Sequence, residues 1–199
     1  MNQTVDPRLW RATLGLLALA LTGALALILA LALGWNSPAP TRPSDWQAPG
    51  LPLSLDAASD GTGVRLLGYS ADDFALEVQA VPRAGPDFNG YGLIYRAQDL
   101  DHYYAFAVGG DGYYAVLRVT EGRAMPLVDW QQFPHVRRGR EANRLRVACA
   151  GPSCRFYIND EYATAVRDDA WAAGEVGLWI RAFGDERVTV EFVDARVWR

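Results

Sequence analysis

Hydrophobic and polar positions follow two different patterns along the chain, and the pattern changes near residue 50. Residues 12–34 carry no charge, and Thr13 and Thr22 are the only polar side chains in that run, whereas from about residue 53 apolar and polar residues alternate. About 20 apolar residues span a bilayer as a helix, and a period of two is typical of strands with one buried face. The chain is therefore predicted to contain one transmembrane helix followed by an all-β domain.

The charges around the apolar run predict its orientation. Arg8 and Arg11 precede it, and the next basic residue is Arg42. Because Lys and Arg are concentrated on the cytoplasmic side of membrane proteins, we predict that residues 1–11 are cytoplasmic. Everything after the helix is then extracytoplasmic, and the protein is a single-pass signal anchor in the cell membrane with the lipid bilayer as its first partner.

A cleaved signal peptide is the alternative interpretation of the same run. The small residues Ala30-Leu31-Ala32 offer a cleavage site. Signal peptides, however, have an apolar region of only about 7–15 residues, and the run over residues 12–34 is longer. The uncleaved anchor is therefore favoured.

Residues 35–52 are predicted to be a linker. Five of the seventeen residues from 36 to 52 are Pro. Proline fixes φ and removes a backbone donor, so this composition is incompatible with a helix or a central strand. We expect an extended, semi-rigid spacer that leads into a domain over residues 53–199.

The second pattern predicts a series of short strands separated by Asp and Gly turns. Short strands at intervals of roughly 8–12 residues indicate an antiparallel sandwich or barrel. The predicted strands cover residues 73–81, 91–97, 102–108, 112–120, 143–150, 153–159, 161–167, 175–181 and 187–198.

The two cysteines flank one predicted hairpin turn. Cys149 and Cys154 are separated by Ala-Gly-Pro-Ser. Cysteines opposite one another in a hairpin can reach disulfide distance, within about 7 Å between Cα atoms, and an extracytoplasmic compartment is oxidising. We predict a Cys149–Cys154 disulfide; two free buried thiols are the alternative.

The order of these segments resembles a known family. Residues 91–106 (YGLIYRAQDLDHYYAF) and 110–118 (GDGYYAVLR), followed by NRLRV from residue 143 and GEVGLW from residue 174, are similar to concanavalin A-like lectin/glucanase jelly rolls. Within that group they are closest to laminin G-like and 3-keto-disaccharide hydrolase (family 16 glycoside hydrolase-related) domains. The resemblance covers roughly residues 65–198. It implies a two-sheet antiparallel jelly-roll sandwich whose concave sheet often carries a sugar site, although a shared fold does not confer a shared function.

The acidic residues do not form the arrangement that glycosidases of this group use. Hydrolysis needs two carboxylates that flank the scissile bond, and the glucanase pattern Glu-x-Asp-x-x-Glu is absent. Glu191 and Asp194 are an odd number of residues apart, so they would face opposite sides of a regular strand. No catalytic residue is predicted, and the domain is expected not to be an enzyme.

Alternation predicts an outward surface rich in aromatic and Arg side chains. In the strand over residues 175–181 the apolar Val176, Leu178 and Ile180 are assigned to the core, which leaves the residues between them outside. Aromatic rings stack on sugars and Arg donates to hydroxyl or carboxylate groups in a forked geometry, although such residues are also common on ordinary sheet surfaces. The resulting candidate residues for binding a glycan or a partner are Arg96, Tyr103, Tyr114, Arg118, Trp179 and Arg181.

The charge and composition of the chain exclude some classes of ligand and catalytic group. The formal net charge is −4 and all nineteen basic residues are Arg, so neither a nucleic-acid partner nor a catalytic Lys is expected. No cofactor is predicted. A calcium ion on Asp99, Asp101 and Asp111 is an open alternative, but such sites need six to eight oxygen ligands.

Two functions of different classes fit these observations. The first is a membrane-anchored, non-catalytic module that binds glycan, such as a cell-envelope polysaccharide, or protein at the cell surface. The second is an accessory or scaffold subunit of a larger membrane complex, in which the helix packs against other subunits.

Overall fold

The structure is a computed structural model that describes residues 7–32 and 42–199. The described residues contain one helix, α1 (Pro7–Ala32), and a β-domain, which are separate compact units. The strands of the β-domain are β1 (Trp46–Gln47), β2 (Leu53–Ala57), β3 (Thr62–Ala71), β4 (Phe74–Ala84), β5 (Asn89–Ala97), β6 (Tyr103–Val108), β7 (Tyr113–Thr120), β8 (Arg123–Gln132), β9 (Asn143–Ala150), β10 (Ser153–Ile158), β11 (Glu161–Arg167), β12 (Gly174–Ala182) and β13 (Val188–Trp198).

The strands form two antiparallel sheets, which confirms the predicted all-β two-sheet sandwich. The seven-stranded sheet has the order β1-β13-β4-β9-β10-β11, with β2 also paired to β13. The six-stranded sheet has the order β3-β12-β5-β6-β7-β8. Every predicted strand is present, and β1, β2, β3 and β8 are additional. Strand β8 contains Pro126, and it can do so because it lies at the edge of its sheet.

The main core lies between the sheets and is built by alternation. Leu76 and Val78 of β4 and Leu178 and Ile180 of β12 are fully buried in this core. Their neighbours in sequence face the outside of each sheet. Burying one such side chain stabilises the fold by about 1.5–3 kcal/mol.

The β-domain begins inside the stretch predicted as linker. Trp46 and Gln47 form β1 and pair with Val197 and Arg196, and the Trp46 ring stacks on Tyr69 at 4.8 Å. The sandwich therefore starts before residue 53. A strand of two residues can form here because it lies between Pro43 and Pro49 and contains no proline itself.

Side chains of α1 are described for residues 13–26, and among them Leu16 and Leu19 are 71% and 74% exposed. Within the described residues no helix is both long and apolar enough to cross a membrane. The predicted span over residues 12–34 begins before and ends after residues 13–26, so the described side chains cover only part of it. Residues 1–6 and 33–41, which include part of the predicted cytoplasmic segment and of the predicted linker, lie outside the described residues.

The predicted disulfide is confirmed. Cys149 and Cys154 are bonded, with their Cα atoms 4.1 Å apart. They are direct cross-strand partners in the β9–β10 hairpin, so the bond fixes the register of this hairpin.

Candidate functional site

A cavity of about 400 Å³ lies on the face of the six-stranded sheet that points away from the main core. We call it the outer-face cavity. Four aromatic rings, several aliphatic groups and three polar side chains line it. The lining residues used below are Tyr103, Trp130, Trp179, Phe183, Leu117, Val119, Thr62, Asp129 and Arg181.

The floor of the outer-face cavity consists of Tyr103 and Trp179. These side chains are only 3% and 2% exposed, and together with alanines of β6 and β7 they form a second apolar cluster. Gly90 makes this packing feasible, since a Cβ there would lie 2.8 Å from the Trp179 ring and 3.2 Å from the Trp130 ring. The absence of a side chain at Gly90 therefore lets both indoles rest against the β5 backbone.

The floor also contains two buried polar groups, the Tyr103 hydroxyl and the Trp179 Nε1–H. The two side chains lie within hydrogen-bonding reach of each other. Burial raises the pKa of the Tyr103 hydroxyl, and the neighbouring Trp179 side chain lowers it by a smaller amount. The floor therefore presents one polar contact within an otherwise apolar surface.

Polar groups at the rim add hydrogen-bonding capacity. Arg181 Nη1 donates to Thr62 Oγ1 at 2.8 Å, and the guanidinium lies 5.8 Å from the centre of the Phe183 ring. A guanidinium has five N–H donors in a fixed fork, so most of this group can still bind another molecule. Asp129 is exposed and accepts the Trp130 backbone N–H at 2.8 Å.

The structure places three of the six predicted binding residues in this cavity. Tyr103, Trp179 and Arg181 all line it. Their predicted direction, away from the main core, is correct, but Tyr103 and Trp179 are buried floor residues rather than exposed ones.

The outward assignment of Arg96 is wrong. Its backbone is in the left-handed region, with φ of 52°, which turns the chain out of the regular alternation of β5. The side chain is 1% exposed and donates to the carbonyl oxygens of Asp72 at 3.0 Å, Gly151 at 2.6 Å and Trp171 at 3.3 Å. Arg96 therefore joins three loops at one end of the sandwich.

The outward assignment of Tyr114 and Arg118 is also wrong, because the faces of β7 are reversed. Leu117 and Val119, which were assigned to the core, line the outer-face cavity. Tyr114 is 3% exposed within the main core, and its hydroxyl accepts from Gln131 Nε2 at 2.8 Å.

Arg118 belongs to an ion pair inside the sandwich. Its Nη1 lies 2.8 Å from Asp168 Oδ2, and the hydroxyl of Tyr104 donates to the same carboxylate. Burial raises the pKa of Tyr104 to about 12, so the phenol remains a neutral donor at ordinary pH. Burial also acts to raise the pKa of Asp168, but the hydrogen bonds from Tyr104 and Ala170 and the charge of Arg118 outweigh it and hold that pKa below its usual value.

Sequence reasoning missed Trp130, Asp129, Phe183 and Gly90. The first two lie on β8, which was not predicted because Pro126 interrupts its pattern. Because proline is tolerated in edge strands, Pro126 by itself did not exclude a strand at these residues. Phe183 follows the predicted end of β12, and nothing in its neighbours distinguishes it from a loop residue.

The three aspartates considered for calcium lie at turns. Asp99 Oδ1 accepts the Asp101 backbone N–H at 2.8 Å and contacts His102 Nδ1 at 2.9 Å, and Asp111 belongs to the next turn. No group of three or more His, Cys, Asp or Glu side chains in residues 7–32 and 42–199 is arranged to hold a metal ion.

Comparisons with known proteins identify the fold. No protein-family model matches the chain, and no curated protein matches it. The carbohydrate binding module CBM66 of Bacillus subtilis matches with a TM-score of 0.61 at 18% identity, over 72% of this chain and 86% of that one. The GH43 protein BlXynB of Bacillus licheniformis matches with a TM-score of 0.53 at 14% identity, over 74% of this chain but 32% of its own length.

These likenesses confirm the resemblance to the concanavalin A-like lectin/glucanase jelly roll as a fold. A functionally unknown protein from Saccharomyces cerevisiae matches similarly, with a TM-score of 0.53 at 13% identity over 72% of this chain and 85% of that one. Since a shared fold does not assign a function, function has to be argued from the cavity.

Proposed function

We propose that the β-domain is a non-catalytic carbohydrate-binding module and that the outer-face cavity is its binding site. The observation that carries the proposal is the composition of this cavity. Aromatic rings form its floor and one wall, and a single guanidinium and a single carboxylate stand at its rim. The fold likeness to the carbohydrate binding module CBM66 supports the same proposal.

The cavity matches the chemistry of a sugar ring. A pyranose or furanose has apolar C–H faces and polar hydroxyl edges, so it needs an aromatic surface below and hydrogen-bonding groups around it. Trp130 and Phe183 supply accessible ring surface, while Arg181 donates to hydroxyls and Asp129 accepts from them. A volume of about 400 Å³ lies in the usual range for small-ligand sites.

The same composition supports a role without catalysis. Retaining hydrolysis needs carboxyl groups about 5–5.5 Å apart, and inverting hydrolysis needs them about 6.5–9.5 Å apart. Asp129 is the one carboxylate among the described residues that line the outer-face cavity. We therefore expect binding with no release of reducing sugar.

A binding screen tests this proposal. The full-length protein in detergent is applied to a printed glycan array and to insoluble polysaccharides, and the bound fraction is also assayed for reducing ends. Trp130→Ala should abolish retention, since it removes a cavity wall that is only partly buried. Tyr162→Ala is the matched control, because Tyr162 is 55% exposed on the other sheet. Retention that both variants preserve, or hydrolysis by the wild type, would contradict the proposal.

We also propose that the N-terminal apolar segment holds this module at the outer surface of a cell membrane. The charge-free run over residues 12–34 and the preceding Arg8 and Arg11 support it, as does the exposure of Leu16 and Leu19 on α1. A disulfide in the β-domain is in keeping with an oxidising compartment. The second, accessory-subunit function rests on the same segment, and native sizing of the detergent extract separates the two.

Fractionation tests the anchor. We expect the protein to stay in the membrane pellet after alkaline carbonate extraction, and protease added to intact spheroplasts to digest the β-domain. A mature protein whose first residue lies near Trp35, or one recovered in the carbonate supernatant, would show that the segment is not an anchor.

A further inference from the structure

A second cavity adjoins the outer-face cavity. It has a volume of about 430 Å³, and Phe88, Asn89, Asp111 and Tyr113 line it. Trp130 and Phe183 line both cavities, and their rings meet edge to face at 5.7 Å and 89°. The two cavities are therefore neighbours on either side of one aromatic pair.

The second cavity presents apolar rings to solvent. Phe88 is 62% exposed and Tyr113 is 38% exposed. The described β-domain exposes only one further aromatic side chain to this degree, Tyr162. The Phe88 ring also contacts Phe183 at 5.1 Å between ring centres, so the exposed aromatic surface continues into the outer-face cavity. Contiguous exposed apolar surface of this kind marks an interaction site.

A buried amide holds the base of the second cavity in place. Asn89 is 3% exposed, its Nδ2 donates to the Pro86 carbonyl, and its Oδ1 accepts the Gly110 backbone N–H at 3.3 Å. These bonds connect the loop before β5 to the turn between β6 and β7. The cavity is thus formed before a ligand arrives, which lowers the entropic cost of binding.

The charges around the two cavities favour a neutral ligand. Arg181 and Asp129 offset one another at the first cavity. At the second cavity Asp111 is accompanied by Arg138, whose guanidinium lies against Gly112. The chain as a whole has a formal net charge of −4. Because each cavity has one group of either sign beside it, the pair favours a ligand whose hydroxyl groups can pair with both.

We propose that the two cavities are consecutive subsites for a chain of neutral sugars, with units on both sides of the Trp130–Phe183 pair. This inference rests on the proposed function and specifies its ligand as an oligosaccharide rather than a single terminal sugar. Each added unit buries ring surface against an exposed aromatic side chain, so affinity rises with the number of units until both cavities are filled.

Calorimetric titration with sugar ladders tests the subsites. The probes are xylose to xylohexaose, glucose to cellohexaose and glucose to maltohexaose, added to the full-length protein in detergent. In the ladder that binds, the hexasaccharide should bind at least about tenfold more tightly than the monosaccharide, which corresponds to about 1.4 kcal/mol. The double variant Phe88→Ala/Tyr113→Ala should lower this ratio to near one. Arg181→Met should weaken every member of the ladder, and Tyr162→Ala should change none.

The outcomes separate the inference from the proposed function. Equal affinity for all lengths, or a double variant with the wild-type ratio, overturns the two-subsite proposal and leaves a single binding cavity standing. Binding to none of the three ladders overturns the neutral-chain proposal, and Trp130-dependent retention on the glycan array then decides whether the binding function itself survives. Circular dichroism of each variant confirms that the β-domain is folded.

Discussion

Two regions of the sandwich use the same kinds of residue for different purposes. The outer-face cavity contains Arg181, Tyr103 and Asp129, and a cluster at the end of the sandwich contains Arg96, Tyr104, Arg118 and Asp168, which we call the inter-sheet cluster. In the inter-sheet cluster most charged groups are paired within the fold, although Arg96 Nε has no hydrogen-bond partner in the described residues. Arg96 alone donates to three carbonyl oxygens.

The outer-face cavity differs in how many polar atoms the fold leaves available. Arg181 makes one side-chain hydrogen bond and is only partly buried, so most of its donors remain available. A buried polar group that is fully paired stabilises one structure, whereas an accessible one that is not paired can bind a ligand. Residue type alone therefore does not separate a structural Arg from a binding Arg. Pairing has to be combined with exposure, since the buried Arg146 also lacks hydrogen-bond partners in the described residues. Four substitutions test this contrast, in order of their expected effect on the free energy of unfolding.

Arg96→Met should have the largest effect on stability. It leaves three carbonyl oxygens at the sandwich end without their donor, and hydrogen bonds to charged groups contribute about 1.5–3 kcal/mol each before compensation. We expect a loss of about 3 kcal/mol in denaturant unfolding, with unchanged sugar affinity of the folded fraction. Arg155→Met, at an exposed position on β10, is the control. A variant that is as stable as the wild type but no longer binds sugar would show that Arg96 has a binding role rather than a structural one.

Asp168→Asn should destabilise by about 2 kcal/mol at pH 7, since it leaves Arg118 without its counter-charge and weakens the bond from Tyr104. The effect should depend on pH. Because the pKa of Asp168 is lowered in the folded state, its contribution is complete above the unfolded pKa of about 3.9 and is lost as the pH falls through the lowered value. Unfolding of wild type and variant from pH 7 to pH 2 should converge at the acid end. A difference that is constant across this range would exclude the ion pair as its cause.

Gly90→Ala should have a moderate effect on both stability and binding. The added Cβ would lie 2.8 Å from the Trp179 ring, and overpacking of this kind costs about 1–3 kcal/mol. We expect a loss of about 1 kcal/mol and a several-fold weaker sugar affinity, because both indoles must shift. Tryptophan fluorescence and calorimetry measure the two effects. Unchanged emission together with unchanged affinity would show that the indoles do not depend on this glycine.

Arg181→Met should have the smallest effect on stability and a clear effect on binding. The side chain is partly exposed and loses one hydrogen bond to Thr62, so the unfolding free energy should change by less than about 0.5 kcal/mol. Sugar affinity should fall about tenfold, since a forked donor is lost. Arg65→Met, also on the six-stranded sheet and exposed, is the control. Equal sugar affinities of Arg181→Met and Arg65→Met would show that Arg181 does not contribute to binding.

Local patterns were sufficient for much of the fold. Alternation with a period of two predicted every strand between residues 73 and 198 except β8 within a few residues, because one face of each strand is buried in the main core. The disulfide followed from a turn that places two cysteines opposite one another. The apolar run over residues 12–34 remains a sequence prediction of an anchor.

The candidate site was only half predicted, for a physical reason that lies in the six-stranded sheet. Both of its faces are apolar, since Leu117 and Val119 form part of the outer cluster while Tyr114 lies in the main core. Alternation separates two faces of a strand but does not say which one is the core when both are apolar. The sequence by itself thus determined nine of the thirteen strands and the hairpin bond, because each depends on neighbours in the chain, and the family resemblance added the two-sheet sandwich. Only the tertiary structure decided which aromatic and Arg side chains share a cavity, because the left-handed turn at Arg96, the edge strand β8 and the position of Phe183 depend on residues distant in sequence.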